Sequence, residues 1–181
     1  MANGTLKAQL MNAETMQRSL TRMAHEIIEQ LTPLDQVVLV GIRRRGIPLA
    51  RRLSDIISRY EQIKLPVGEV DISLYRDDLS QIAEQPCVGG TSLPVDVNGK
   101  TVVLVDDVIY TGRTARAAME AVLRKGRAGR ICLAVLIDRG HRELPIRPDF
   151  VGKNIPTSHS ERVGVQVEEI DGEDCVALYN R

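Results

Sequence analysis

The chain has 181 residues, of which 43% are hydrophobic and 27% charged, and this composition suits one folded domain with a sizeable core. Its 24 basic and 24 acidic residues give a formal net charge of zero, which argues against a protein coated with positive charge but allows a local basic patch. The three cysteines are scattered and form no CxxC pair, which argues against a disulfide framework and a zinc site. The sequence has no apolar run of membrane-spanning length and no signal-peptide pattern, which argues against a membrane span and secretion. A cytoplasmic location is therefore expected.

In chain order, the first half of the sequence predicts a helix, a strand, a second helix and a second strand. Apolar residues at helical spacing run through 16–31, and a short β-branched run follows at 36–42. A second helical face begins after Gly46, and residues 67–75 alternate apolar and polar side chains as a half-buried strand does. The polar stretch 76–94, with its Pro and Gly residues, predicts a long loop.

The second half repeats this alternation of strands and helices. Residues 101–105 and 131–137 are continuous apolar runs typical of buried strands, and a helix that ends near Gly126 lies between them. The tail, 163–179, mixes short strand-like pieces with an acidic turn. Together these elements predict one α/β domain over residues 1–181, with a mainly parallel sheet covered by helices on both faces.

The stretch "VVLVDDVIYTGRT", residues 102–114, combines features of a phosphate-sugar site. Asp106 and Asp107 end a predicted interior strand, and ligands of open parallel sheets bind beyond such strand ends. The following turn leads into a helix N-terminus, whose unpaired N–H groups and dipole favour an anion, and Gly112 allows close backbone approach. A purely structural role as a helix N-cap fits two tandem aspartates poorly. A P-loop is excluded because the position five residues before Gly99 is Pro94.

A second candidate anion site is "GIRRRG", residues 41–46, which follows a predicted strand end. It places Arg43, Arg44 and Arg45 between two glycines. Arginine pairs with phosphate through a bidentate fork, although a solvated basic loop that opens a helix is the ordinary alternative.

Residues 102–114 resemble the phosphoribosyl-pyrophosphate (PRPP) signature of type I phosphoribosyltransferases along the whole motif. The segments "LMNAETMQRSLTRMAHEI", "DISLYRDDL", "DRGHRELPIRPDFVGKNIPTS" and "VEEIDGED" extend the similarity over nearly the full chain. They resemble the bacterial pyrimidine-operon attenuation regulators that are also uracil phosphoribosyltransferases.

This resemblance implies the type I phosphoribosyltransferase fold, with a small hood over the C-terminal strand ends built from the N-terminal segment and roughly residues 139–181. It also implies the reaction of uracil with PRPP to give UMP and pyrophosphate, with Mg²⁺ as cofactor. Asp106 and Asp107 would bind the ribose hydroxyls and hold the metal indirectly, and Arg45 is the third catalytic candidate. The implied PRPP-binding residues are Asp106, Asp107, Val108, Ile109, Tyr110, Thr111, Gly112, Arg113 and Thr114, and the implied pyrophosphate-binding residues are Arg43, Arg44 and Arg45.

The same resemblance implies how the rest of the substrate is held. Tyr75 and Arg76 would belong to a flexible loop that closes over PRPP and excludes water. Arg139, Lys153 and the backbone near Val163 would contact the base. Family members commonly carry threonine at the position of Arg44, which leaves the role of Arg44 open.

The family's second activity is binding of the pyrimidine-operon messenger RNA leader, with uridine nucleotides such as UMP and UTP as the signal for transcription attenuation. The implied RNA-binding residues are Arg18, Thr21, Arg22, His25, His141, Arg142, Arg147 and Lys153. Those on the first predicted helix lie three or four residues apart, on a face separate from its apolar stripe. A solvated charged face is the ordinary alternative.

Two other functions remain open at this point. One is an RNA-binding regulator with negligible catalysis, which the unusual Arg44 motivates. The other is a hypoxanthine or guanine phosphoribosyltransferase, because "PDFVGKNIP" also resembles a segment of those enzymes. Since most members of the superfamily are oligomers, a homo-oligomer is expected, with a dimer through the N-terminal helix as one form.

Overall fold

The computed structural model describes residues 5–72 and 90–180, which form two sheets and four α-helices. The predicted loop residues Tyr75 and Arg76 lie outside the described residues, as does the end of the predicted strand 67–75. No helix within the described ranges is long and apolar enough to cross a bilayer. The elements are β1 (Leu6–Met11), α1 (Ala13–Gln30), β2 (Val37–Ile42), α2 (Gly46–Glu61), β3 (Val67–Val70), β4 (Thr101–Ile109), α3 (Arg113–Leu123), β5 (Arg130–Asp138), β6 (Phe150–Asn154), β7 (Glu161–Gln166), α4 (Glu168–Asp171) and β8 (Cys175–Asn180).

The main sheet has five parallel strands in the order β3-β2-β4-β5-β6. Its central strands are apolar on both faces because both faces are covered. On β4, Val103 and Val105 pack in the core formed with α1 and α2, while Val102 and Leu104 pack in the core formed with α3. The alternation of side chains along a strand thus divides one apolar run between two cores, and the predicted α/β class is confirmed.

Strand order reverses at β2, since the chain passes from β2 to β3 on one side and later to β4 on the other. Beyond such a reversal the two connections leave in opposite directions, and a crevice opens at the carboxyl ends of the strands. The basic loop 43–45 follows β2, and Asp106 and Asp107, the acid pair, lie near the end of β4. The topology therefore brings the two predicted anion-binding segments to one crevice.

Strand β4 is longer than the sequence predicts. It continues to Ile109 rather than ending at residue 105, and Asp106, Val108 and Ile109 pair with Val135, Ile137 and Asp138 of β5. The apolar run stops at Val105, but the ladder with β5 continues through half-buried residues. The two acids are consequently fixed by the sheet itself and not by a mobile loop.

The hood is a three-stranded antiparallel sheet in the order β1-β8-β7, followed along the chain from β7 by the short helix α4. The expected hood boundary near residue 139 is corrected, because β6 is the edge strand of the main sheet. Phe150, which begins β6, is fully buried in the core with α1 and α2. Only five residues long, and interrupted by Gly152 and Lys153, β6 has no continuous apolar run that would predict a buried strand.

Charged pairs attach the hood to helix α2. Arg52 donates to both carboxylate oxygens of Asp174, at 2.7 and 2.8 Å, and to both of Glu169, at 2.8 and 2.7 Å. Seven residues earlier, just before α2 begins, Arg45 forms a fork with Asp171. Planar bidentate pairs of this kind fix orientation as well as distance, so the hood is held in a defined position over the sheet edge.

These carboxylates make the hood attachment sensitive to acid. The hydrogen bond from Arg45 lowers the pKa of Asp171. Burial alone would raise the pKa of Asp174, but the hydrogen bonds from Arg52 and from the Glu168 N–H outweigh it and lower the pKa. Because both folded-state pKa values lie below the unfolded value of about 3.9, the stability from these pairs is complete above that pH and is lost as the pH falls through the depressed values.

We therefore expect Arg52→Gln to lose less stability than the wild type between pH 7 and pH 3, because Asp174 no longer has the partner that lowers its pKa. Urea unfolding at the two pH values measures this difference. Arg116→Gln is the matched control, since it removes an exposed pair with Glu120 on α3 and leaves the hood untouched. An acid dependence in Arg52→Gln equal to that of the wild type would contradict the attribution.

Candidate active site

A cavity of about 1040 Å³ lies between the carboxyl edge of the main sheet and the hood. Distant parts of the sequence meet there, among them the basic loop after β2, the end of β4 with the following turn, the segment after β5, and strand β7 of the hood. The predicted site residues among its lining are Arg43, Arg44, Arg45, Asp106, Asp107, Val108, Ile109, Tyr110, Thr111, Gly112, Arg113, Thr114, Arg139 and Val163.

The carboxylates of the acid pair are fixed by their own backbone. Asp106 Oδ1 accepts a hydrogen bond from the N–H of Asp107 at 2.9 Å, and Asp107 Oδ1 accepts one from the N–H of Val108 at 2.8 Å. Both side chains are half-buried and line the cavity. Two adjacent acceptors in fixed positions suit a pair of neighbouring sugar hydroxyls, and their charge favours a cationic ring.

The turn after the acid pair opens helix α3. Gly112 precedes the helix with φ 94°, a conformation that residues with a Cβ rarely adopt. The first N–H groups of a helix have no partner within it, and the helix dipole adds positive potential at this end. Thr111 and Thr114 contribute hydroxyls to the same cavity wall. The turn therefore has the features of a phosphate site, and phosphate binding there stays a prediction.

The segment after β5 supports this turn from behind. The N–H groups of Glu143 and Leu144 donate to Thr111 O at 3.0 and 3.2 Å, and the guanidinium of Arg142 donates to Tyr110 O at 2.9 Å. The side chain of Arg113 pairs with Glu143 at 3.0 Å. The segment "RGHRELPI", residues 139–146, therefore fixes the shape of the turn at 111–114.

The basic loop after β2 depends on its two glycines. A Cβ on Gly46 would lie 2.2 Å from Val105 O, and one on Gly41 would lie 2.5 Å from Ile47 Cα. Such approaches are impossible for any other residue. Glycine at 46 thus lets the loop lie directly against the end of β4, beside Asp106, and glycine at 41 lets the start of α2 lie against β2.

The three arginines of this loop have different surroundings. Arg43 pairs with Asp71 at 2.8 Å, and its pKa is raised by that hydrogen bond. Arg45 is half-buried and forms its fork with Asp171 of the hood. Arg44 is exposed and also lines the cavity. The loop thus contributes three arginines to the cavity lining, of which Arg43 and Arg45 are paired with carboxylates.

Arg139 holds the hood in place. Its side chain is 4% exposed and donates to Thr157 Oγ1 at 3.1 Å, to Ser158 O at 3.2 Å and to Glu161 O at 2.8 Å. Its guanidinium also lies over the ring of Tyr110, 4.1 Å from the centroid. Arg139 lines the cavity as predicted, but its hydrogen bonds to the hood indicate a bracing role, which the sequence did not predict.

Of the other predicted base contacts, Val163 lines the cavity and Lys153 does not. The Lys153 ammonium is exposed and lies 3.4 Å from Leu10 O, on the side of helix α1. This placement outside the cavity corrects the predicted contact of Lys153 with a base, and its contact with RNA stays a prediction. The cavity lining that sequence reasoning missed includes Glu143, Arg162, Gly164, Gln166, Asp171 and Tyr179.

The acid pair is also the candidate ligand set for Mg²⁺. Within the described residues, no group of three or more His, Cys, Asp or Glu side chains could hold a metal. Mg²⁺ usually keeps several waters and is bound by one or two carboxylates together with substrate phosphates. The donors Asp106 and Asp107 therefore fit a Mg²⁺ that arrives with a diphosphate, and do not fit a resident metal held by protein alone.

The predicted RNA-binding residues divide into two groups. Arg18, Thr21, Arg22 and His25 lie on α1, and the guanidinium of Arg22 donates to Val151 O at 2.9 Å, which brings this face beside Lys153 on β6. The group after β5 is less available. His141 Nε2 lies 2.6 Å from Thr157 O, and Arg142 has acceptors in Tyr110, Ile146 and Asp138, whereas Arg147 is exposed. The contacts of Arg142 favour a structural role.

Comparison with known proteins defines the class first. A family model described as "Phosphoribosyl transferase domain" matches residues 8–170. A hypoxanthine phosphoribosyltransferase of Staphylococcus aureus has a similar structure, with a TM-score of 0.70, 21% identity, and 95% of this chain and 92% of that chain covered. The hypoxanthine phosphoribosyltransferase of Trypanosoma cruzi gives a TM-score of 0.71 at 18% identity, over 97% and 98% of the two chains. At these identities the structural similarity establishes the fold alone.

Closer relatives identify the particular family. Proteins called "Bifunctional protein PyrR" from Clostridium novyi and Thermus thermophilus are 56% and 59% identical over 175 residues. The alignments cover 97% of this chain, and 98% and 97% of those proteins, respectively. The chain belongs to the PyrR family of phosphoribosyltransferase-domain proteins.

Proposed function

We propose that this protein is a uracil phosphoribosyltransferase, which converts uracil and PRPP to UMP and pyrophosphate, and that it also regulates pyrimidine biosynthesis genes by uridine-nucleotide-dependent binding to their messenger RNA. The observation that carries the enzymatic part is the meeting of the acid pair, the phosphate turn and the arginine loop around one cavity. The near full-length identity to bifunctional PyrR proteins supports both parts.

The chain's own residues hold PRPP at three points. The turn Thr111–Thr114 binds the 5-phosphate through the N–H groups at the start of α3. Asp106 and Asp107 accept hydrogen bonds from the ribose hydroxyls. Arg44 and Arg45 face the pyrophosphate. This separation of anchoring points orients carbon 1 of the ribose toward the base, and orientation supplies a large part of the acceleration of such transfers.

Charge at the ring changes as pyrophosphate leaves, and the site is arranged for that change. The carboxylates of Asp106 and Asp107 favour the positive charge that builds on the ribose, while the guanidinium groups of the basic loop stabilise the departing negative charge. When bound, Mg²⁺ neutralises charge on the diphosphate. The hood strand β7, with Val163 in the cavity wall, would place the base opposite the leaving group.

The enzymatic part is tested by incubating purified protein with uracil, PRPP and Mg²⁺ and measuring UMP and pyrophosphate. The expected result is equal formation of both products, with no product when PRPP is omitted. Hypoxanthine and guanine in the same assay test the second candidate, which rests on the fold shared with hypoxanthine phosphoribosyltransferases. Nucleotide formation from a purine and not from uracil would identify the purine as the substrate.

A regulator with negligible catalysis is the remaining alternative, and the additional positive charge of Arg44 in the pyrophosphate loop is the feature behind it. A turnover of about 1 s⁻¹ or faster, in the range of ordinary enzymes, would exclude this alternative. PRPP binding without measurable UMP formation would support it.

For the regulatory part, we expect Arg18→Gln to weaken binding of a pyrimidine-operon leader transcript from the same genome. Arg18 is the clearest variant because it is exposed and, within residues 5–72 and 90–180, its ion pair is with Glu14 on the same helix, whereas Arg22 also anchors α1 to β6. Loss of one phosphate contact should reduce the slope of log affinity against log salt by about 1. Filter binding with and without UMP or UTP measures both the affinity and its nucleotide dependence.

Arg116→Gln is the matched control for this measurement. Arg116 forms the same kind of pair as Arg18, four residues from Glu120 on an exposed helix face, but α3 covers the opposite face of the main sheet. The control should bind RNA as the wild type does. Equal RNA affinity in both variants and the wild type would show that Arg18 does not contact the RNA. An RNA affinity that does not fall with rising salt would contradict phosphate contacts altogether.

A further inference from the structure

Asp171, the last residue of α4, contacts the basic loop across the cavity. Its Oδ2 accepts a hydrogen bond from Arg45 Nε at 2.9 Å, and its Oδ1 accepts one from Arg45 Nη2 at 2.7 Å. Both side chains are largely shielded from solvent, with 33% of Arg45 and 17% of Asp171 exposed. This is the parallel two-bond geometry in which a guanidinium is held most rigidly.

The carboxylate is the fixed member of this pair. Asp171 Oδ2 also accepts a hydrogen bond from the N–H of Val167 at 2.9 Å, and the N–H of Asp171 donates to Val167 O at 2.7 Å. Val167 is fully buried between β7 and α4. The side chain of Asp171 is therefore locked to the hood backbone, and the long side chain of Arg45 takes its orientation from it.

The pairing leaves Arg45 able to bind an anion. A guanidinium carries five N–H groups in a planar fork, and Asp171 accepts from two of them. The edge formed by Nη1 and the second hydrogen of Nη2 can still make a bidentate contact. Arg45 lines the cavity together with Asp107. The hydrogen bond that Arg45 donates to Asp171 and the nearby charge of Asp107 both raise the pKa of Arg45, so the guanidinium stays charged.

We infer that Asp171 is a positioning residue for Arg45, which directs the remaining guanidinium edge toward the pyrophosphate group of PRPP. The inference rests on the proposed phosphoribosyl transfer and deepens it, because it assigns a hood residue to pyrophosphate recognition. The opposite role would be a latch in which Asp171 competes with pyrophosphate for the same edge. The two roles predict opposite changes in affinity when the carboxylate is removed.

The test is Asp171→Asn, with inorganic pyrophosphate plus Mg²⁺ as the probe in isothermal titration calorimetry and steady-state kinetics alongside. We expect the Kd for pyrophosphate and the KM for PRPP to rise about tenfold, the change that loss of one oriented ionic contact produces. The KM for uracil should change much less, whereas kcat should fall as well, because an Arg45 that is no longer oriented stabilises the departing negative charge less.

Asp174→Asn is the matched control. It removes another carboxylate–arginine fork between the same hood segment and helix α2, that of Asp174 with Arg52, but neither residue lines the cavity. Glu169 still holds Arg52 in this variant. The control should bind pyrophosphate as the wild type does, which separates orientation of Arg45 from simple attachment of the hood.

A double-mutant cycle completes the design. Because Asp171 is inferred to act through Arg45, adding Asp171→Asn to Arg45→Gln should change the pyrophosphate Kd less than about twofold further. Full additivity of the two variants would overturn the inference, as would tighter pyrophosphate binding by Asp171→Asn or equal losses in Asp171→Asn and Asp174→Asn. If the wild type makes UMP and Asp171→Asn binds pyrophosphate normally, only the positioning role fails. If the wild type neither binds pyrophosphate nor makes UMP, the proposed function fails with it.

Discussion

Replacement of Asp107 by asparagine is expected to lower kcat for UMP formation by about 10²–10³-fold, the range measured when one preorganised electrostatic group is removed from an active site. Asparagine has nearly the same shape, and its side-chain oxygen can still accept the N–H of Val108 that Asp107 accepts at 2.8 Å. The variant therefore keeps this local hydrogen bond, removes the negative charge and replaces the second carboxylate oxygen by an NH₂ group, which cannot accept a hydrogen bond. The loss should appear in kcat because that charge is needed most when positive charge builds on the ribose.

The measurement is steady-state UMP formation at saturating PRPP and uracil. Asp55→Asn is the matched control, since Asp55 is an exposed aspartate on α2 that pairs with Lys64 and lies outside the cavity lining. It should retain wild-type kcat. An Asp107→Asn enzyme within a factor of two of the wild type would contradict the role given to the acid pair.

Replacement of Arg139 by methionine is expected to lower the free energy of unfolding by about 2–4 kcal/mol, because the hydrogen bonds of a buried charged side chain are lost. The guanidinium donates to Ser158 O and Glu161 O in the hood and lies over Tyr110 at the phosphate turn. Methionine can fill much of the same space, so the cost comes mainly from the lost hydrogen bonds, above all the buried one to Glu161 O. Urea unfolding monitored by circular dichroism measures the change.

Arg162→Met provides the comparison for Arg139. The guanidinium of Arg162 also lies over an aromatic ring of the cavity wall, that of Tyr179, with 5.1 Å to the centroid, but Arg162 is only half-buried. Its loss should cost less than about 1 kcal/mol, the value of an exposed cation–π contact. Equal stability losses in the two variants would contradict the view that Arg139 braces the hood.

The central sheet and the acid pair could be predicted because their signals are local. Continuous apolar runs on β4 and β5 indicate strands buried on both faces, and Asp106 and Asp107 stand next to the phosphate turn in the sequence itself. The basic loop could be predicted for a similar reason, since two glycines bracket three arginines at a strand end. In each case the residues that act together are neighbours along the chain.

The hood and its contacts could not be predicted in the same way. Arg45 and Asp171 are 126 positions apart, and the sequence suggests only an acidic turn around Asp171. Strand β6 pairs with β5 through backbone groups, so its short and interrupted pattern carries little signal. Lys153 matches the family segment for a base contact, but the position of β6 at the sheet edge turns its ammonium toward Leu10. Each of these positions is determined by tertiary contacts between distant parts of the chain.

The segment after β5 connects the two proposed activities. Glu143 and Leu144 fix the phosphate turn through Thr111 O, while Arg147, a few residues further on, is exposed among the predicted RNA contacts. One short piece of chain therefore supports the nucleotide site and contributes to the predicted RNA-facing surface.

A crystal structure of the protein with PRPP and Mg²⁺ bound tests the proposed PRPP site most directly. The 5-phosphate is expected within hydrogen-bond distance of the backbone N–H groups of Thr111–Thr114, with the ribose hydroxyls on Asp106 and Asp107 and the pyrophosphate facing Arg45. A 5-phosphate bound outside the turn, or ribose hydroxyls directed away from both carboxylates, would contradict it.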